Sequence, residues 1–304
     1  MPESSCRVGD IDIAYETFGD PADPALLLVM GLATQMVAWQ DDFCTELADR
    51  GFHVIRFDNR DVGRSTALRH LPVPTTRQLV LRSKQAAGYT LSDMAGDAAG
   101  LLDHLGIERA HVVGASMGGM IAQMIAIEHP QRVLSLASIM SNTGARWSGQ
   151  PQLATYSVLL GRPPEARDAY IDHVLKVYKV IGSPGFDRNE DDLRRIAALS
   201  YDRGRNPAGS GRQLAAIIAT GDRTKRLATI TAPTVVIHGT ADRLVNPSGG
   251  RATAKAIPGA RLVTIAGMGH DLPRGTWARM IGAITDNAAR SSEPADSQLA
   301  TPSA

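Results

Sequence analysis

Gly114-Ala115-Ser116-Met117-Gly118 lies between the apolar run Ala110 to Val113 and a stretch, Met117 to His129, that reads as a helix closed by Pro130. A serine with a glycine two residues away on each side constrains a fold strongly. The chain leaves a buried strand, turns sharply at Ser116 and enters a helix, and the glycines let strand and helix approach where a Cβ would intrude. The serine backbone is strained, and its hydroxyl is held at a helix N-terminus, where free N–H groups and the dipole favour developing negative charge.

Strand and helix patterns alternate around this turn, which predicts a mostly parallel α/β sheet with helices on both faces. Ala25 to Met30 is a continuous apolar strand, as burial on both faces requires. Phe52 to Phe57 and Val133 to Met140 are further strands, and Arg7 to Phe18 alternates around Gly9-Asp10 like a hairpin. Helices are predicted over Trp39 to Arg50, ended by Gly51, and from an N-cap at Thr90 or Ser92 to Leu105, ended by Gly106. Residues 66–90, with Pro72 and Pro74, read as irregular.

Strand-like runs largely vanish from 141 to 228, where 151–160, 164–181, 190–201 and 210–220 read as helices. Strands resume at Thr234 to His238 and Arg261 to Ala266, and Trp277 to Ala289 is a closing helix. The expected organisation is a core of residues 1–140 and 229–290, a helical cap insertion at 141–228 and a disordered tail at 291–304.

A chain of 304 residues can bury one such core. Its net charge of +1 offers no global field for nucleic acid or other polyanions. The longest apolar stretch, Ala25 to Ala33, is too short for a bilayer span. The first ten residues are polar, and no secretory pattern follows them. Cys6 and Cys44 have neither metal-ligand spacing nor a paired framework, and read as free thiols in a reducing compartment. The expectation is a cytoplasmic monomer or homodimer without metal or cofactor.

Attack by Ser116 on a carbonyl needs a base, for which histidine suits, and a carboxylate to orient that base. Loops after successive parallel strands emerge at one sheet edge, so residues far apart in sequence converge there. Asp242, in His238-Gly-Thr-Ala-Asp242-Arg-Leu-Val-Asn-Pro247, follows one strand, and His270, in Gly267-Met-Gly-His270, follows the next. Of the eight histidines, only His270 combines a post-strand position with a glycine-rich approach. His238 reads as a strand-end residue. Asp202 and Asp222 fall in the helical insertion and suit surface or capping roles, while Asp58 opens Asp58-Asn-Arg-Asp-Val-Gly-Arg-Ser65, a segment suited to a structural loop. A tetrahedral oxyanion needs two N–H donors, for which Met117, beside the nucleophile, and Leu32, after Met30-Gly31, are the candidates.

With these residues in place, residues 7–289 resemble the α/β-hydrolase superfamily. Gly19-Asp-Pro-Ala-Asp-Pro-Ala-Leu-Leu-Leu-Val-Met-Gly31, His53-Val-Ile-Arg56 and Ala110-His-Val-Val-Gly114 more closely resemble the aclacinomycin methylesterase type of actinobacterial hydrolase. The resemblance implies a cofactor-free ester hydrolase with a helical cap. Met30-Gly31 stands for the superfamily's usual His-Gly, and Leu32 replaces a glycine of the methylesterase, adding bulk beside the site. The expected reaction is hydrolysis of a small or medium apolar carboxylic ester through an acyl-enzyme. C–C bond hydrolysis, cofactor-free perhydrolysis and a non-catalytic small-molecule receptor are the alternatives. Leu153, Tyr156, Leu159, Leu160, Val174 and Tyr178 are candidates for pocket lining or cap packing.

Overall fold

Five consecutive aliphatic residues cannot follow an in–out polar alternation, and β3 (Ala25–Val29) is buried along its whole length. Leu27 and Val29 enter one apolar cluster, Leu26 and Leu28 another. That division is the period of two expected when both faces of a sheet are covered. The computed structural model describes residues 3–155 and 163–292.

Among the described residues the sheet has eight strands in the order β1-β2-β4-β3-β5-β6-β7-β8. These are β1 (Ser4–Val8), β2 (Ile11–Phe18), β3, β4 (His53–Phe57), β5 (Ala110–Ala115), β6 (Val133–Ile139), β7 (Thr234–Gly239) and β8 (Arg261–Ile265). The hairpin β1–β2 and the β2–β4 pair are antiparallel, and every other pair is parallel. One face is covered by α3 (Leu91–His104) and α4 (Met117–Glu128), the other by α1 (Asp41–Ala48) and α10 (Trp277–Ala289). Because β4 and β5 flank β3 on opposite sides, the chain reverses its winding there, the kind of switch point beyond whose strand ends open α/β sheets bind ligands.

Some predicted ends shift. Met36–Ala38 forms its own 3-10 turn and α1 starts at Asp41, while Trp39 is buried and stacks on Phe43 with ring centroids 5.4 Å apart. Thr90, not Ser92, caps α3, in a reciprocal box with Asp93. The stretch read as irregular contains α2 (Thr76–Val80), opened by a Thr75–Gln78 capping box. Arg290–Ser292 prolongs α10 as a 3-10 turn. Residues 293–304, where the tail was expected, lie outside the described residues.

Between β6 and β7 the described residues form α5 (Arg167–Ile181), α6 (Glu190–Arg203), α7 (Pro207–Thr220) and the short α8 (Thr224–Leu227), and no strand. A further helix, α9 (Ser248–Ala256), joins β7 to β8. Two buried ion pairs tie this helical segment to the loop after β4: Arg203 with Asp58 and Arg212 with Asp61. Asp58 also accepts the Met36 and Arg64 N–H groups, which gives it the structural role its loop suggested. Asp202 pairs with Arg167 at the surface, and Asp222 accepts the Thr224 N–H in a turn.

Candidate active site

Ser116 sits where β5 becomes α4, with φ 57° and ψ −120°. Few non-glycine residues adopt a positive φ, and the surroundings here enforce it. Its N–H donates to the Ile139 carbonyl at 2.9 Å. A Cβ at Gly114 would lie 2.1 Å from the Gly118 carbonyl oxygen, and one at Gly118 would lie 2.1 Å from that of Val29. The two glycines are thus the condition for the turn's tightness, and the partly exposed hydroxyl stands over the α4 N-terminus.

Asp242 follows β7 and His270 follows β8, and both are buried. His270 Nε2 lies 2.9 Å from Ser116 Oγ, and its Nδ1 lies 2.8 Å from Asp242 Oδ2. A carboxylate only accepts, so Nδ1 carries the proton and Nε2 turns its lone pair toward the serine hydroxyl. Asp242 Oδ1 is fixed by the Leu244 and Val245 N–H groups at 2.9 and 2.8 Å. Burial works to raise the Asp242 carboxyl, but the charge of His270 and hydrogen bonds from His238 and His270 outweigh it and hold the group below the ordinary carboxylate range.

His238, read from sequence as a strand-end residue, also faces this acid. Its Nε2 is 2.8 Å from the Val245 carbonyl and 3.4 Å from Asp242 Oδ2. The sequence carried a signal for it in the four-residue spacing to Asp242. Leu32 lies in the loop after β3, and Met117 begins the helix after β5, the strand beside it. A Cβ at Gly31, just before Leu32, would be 3.2 Å from Ser116 Cβ, so the loop after β3 passes directly beside the serine. Met117 opens α4, where the first N–H groups have no acceptor within the helix.

The pocket candidates divide. Leu153 is 89% exposed, so it takes no part in buried cap packing. Val174 packs against Ile171, Leu175 and Ala197, binding α5 to α6. Tyr178 lies on α5 and is half-buried. Tyr156, Leu159 and Leu160 lie outside the described residues. Among the described residues no group of three or more His, Cys, Asp or Glu is placed to hold a metal ion, and no helix is long and apolar enough to cross a membrane.

Strand order, serine turn and winding reversal together define the class, and the family pattern described as alpha/beta hydrolase fold matches residues 24–273: the chain belongs to the α/β-hydrolase fold family. It is similar to rhodomycin D methylesterase of Streptomyces peucetius, 27% identical over 303 residues that cover 93% of this chain and 97% of that protein. The resemblance to the methylesterase type therefore extends over nearly the whole chain. It is also similar to 3-oxoadipate enol-lactonase 2 of Acinetobacter baylyi, 28% identical over 248 residues, 80% of each chain. The solved meta-cleavage product hydrolase of Pseudomonas fluorescens shares the fold, with a TM-score of 0.74 at 17% identity, over 95% of this chain and 98% of that one.

Proposed function

We propose that the protein is a serine hydrolase that cleaves carboxylic esters of small or medium apolar substrates. The observation that carries this reading is the continuous hydrogen-bonded series Ser116–His270–Asp242 beyond the ends of β5, β7 and β8. Ser116 Oγ attacks the ester carbonyl while His270 Nε2 takes its proton, and Asp242 holds the imidazole and stabilises its cationic form. The Leu32 and Met117 amides receive the oxyanion, each such donor contributing ~3 kcal/mol to the barrier reduction.

His270 then protonates the departing alkoxide. Water attacks the acyl-enzyme as His270 removes its proton, and collapse releases the acid and restores the Ser116 hydroxyl. Ester cleavage is supported by relatives named as methylesterase and enol-lactonase. The name methylesterase favours a methyl ester as the substrate. The helical segment 141–228 serves as a cap over this site. A fluorophosphonate probe tests the assignment: wild type labels and Ser116→Ala does not. Equal labelling of the two would sink it.

A further inference from the structure

Two loops must stay in place for this chemistry, Gly267 to Asp271 with the base and Gly31 to Gln35 with the oxyanion donor. Both are held from the helical segment between β6 and β7. The His270 N–H donates to the Ile181 carbonyl at 2.7 Å, and the Gly185 N–H donates to that of Gly267 at 3.0 Å. Between them the Gly269 N–H donates to Ser183 Oγ at 2.8 Å, and the Ser183 hydroxyl donates to the Asp271 carboxylate. A Cβ at Gly269 would lie 2.4 Å from the Gly182 carbonyl oxygen, so the two chains run in backbone contact.

The other loop is gripped in the same way. Ala33 has φ 54°, and its N–H donates at 2.8 Å to Oε1 of Gln213, a fully buried side chain of α7. Gln213 Nε2 is itself spent on the Arg60 carbonyl at 2.8 Å. Gln35 donates to the Ser200 and Gly204 carbonyls at 2.6 and 2.8 Å and accepts from Arg203 at 2.9 Å.

We infer that Ser183 and Gln213 are positioning residues, Ser183 fixing the loop that carries His270 and Gln213 the loop that carries the oxyanion donor. The helical segment is thus part of the catalytic frame. This rests on the serine-hydrolase reading. A left-handed alanine that loses its acceptor relaxes toward the ordinary regions, carrying Leu32 with it. A base loop that loses the bridging hydroxyl leaves a buried N–H and a half-buried carboxylate without that partner.

The test compares wild type, Ser183→Ala, Ser183→Thr, Gln213→Leu and a surface control on α6, Arg194→Ala, whose side chain pairs with the exposed Asp172. Measured are kcat and KM on a p-nitrophenyl ester, the fluorophosphonate labelling rate and the thermal melt. Displacements near 1 Å cost up to about a hundredfold, so Ser183→Ala and Gln213→Leu should lose ~10- to 100-fold in kcat, with KM changed less than about threefold and labelling slowed in step. Ser183→Thr, which keeps the hydroxyl, should recover most of the rate, and Arg194→Ala should match wild type.

Folded Ser183→Ala or Gln213→Leu with wild-type kcat overturns the inference, as does Ser183→Thr no faster than Ser183→Ala. If one of the two deletions fails to fold, the other decides. A wild type that neither hydrolyses nor labels at Ser116 sinks the hydrolase reading and this inference with it. An active wild type with indifferent variants sinks the inference alone.

Discussion

Asp242→Asn is the sharpest probe of how the site works, because it alters the proton arrangement while leaving the shape nearly unchanged. The Asn carbonyl can still accept from the Leu244 and Val245 N–H groups that now bind Oδ1 at 2.9 and 2.8 Å, so the turn after β7 should survive. Its amide then stands in place of Oδ2 and presents N–H to His270 Nδ1, which lies 2.8 Å from that oxygen. The imidazole answers by moving its proton to Nε2, and Nε2 can no longer accept from Ser116. The base is present but in the wrong tautomer. Such a change lowers kcat by ~10⁴-fold, equivalent to ~5.5 kcal/mol of barrier. The assay is steady-state hydrolysis of a p-nitrophenyl ester by variant protein expressed apart from wild type, with Ser116→Ala as the background and circular dichroism melts as the control on folding. A folded Asp242→Asn enzyme within tenfold of wild-type kcat would refute the assignment of Asp242 as the orienting acid.

Three further outcomes concern stability. In Gly118→Ala the new Cβ would lie 2.1 Å from the Val29 carbonyl oxygen and 2.7 Å from that of Met30, so backbone must move and ~1–3 kcal/mol is lost. Gly96→Ala within α3 meets nothing within 4 Å and should gain ~0.5–1 kcal/mol. Thermal melts that rank these two variants the other way would contradict the packing described. Burial, with Arg109 as the second cause, lowers His111 from 6.5 to about 4. An unfolded chain takes up a proton there below about pH 6.5 while the native chain does not, so stability falls as pH drops through that window, by at most ~3 kcal/mol. Urea midpoints between pH 7 and pH 4 should therefore fall less steeply for His111→Gln, and identical slopes would remove His111 as the cause.

Much of the core was legible because its signals are local. Continuous aliphatic runs marked strands covered on both faces, and glycines at fixed distances from Ser116 marked the turn. Asp242 and His270 were readable because each directly follows a strand, and a parallel sheet sends such positions to one edge. Misreadings arose where a local signal was present but weighed against its setting. Thr75 and Gln78 have the spacing of a capping box, yet the neighbouring prolines made the stretch look irregular. His238 ends a strand, and that alone hid its approach to Asp242 across one turn of loop.

The residues proposed to hold the site from outside the core left no such mark, and the reason is geometric. The Ala33–Gln213 hydrogen bond joins positions 180 residues apart, and the Gly269–Ser183 bond positions 86 apart. Helical periodicity identifies α7 but not what faces it. Arg212 and Gln213 are adjacent, hence about 100° apart on the helix surface, and both are buried. Two neighbouring polar side chains inside Arg212-Gln-Leu-Ala-Ala-Ile-Ile218 point to a helix whose enclosed side meets fixed polar partners, because a buried polar group left unpaired is costly. Arg212 finds Asp61, and Gln213 finds Ala33 and Arg60. Changing either partner loop would therefore disturb α7, and changing α7 would disturb the loop beside Ser116. On the proposed reading, substitutions of Arg212 or Gln213 in α7 should therefore alter kcat, although neither residue touches the triad.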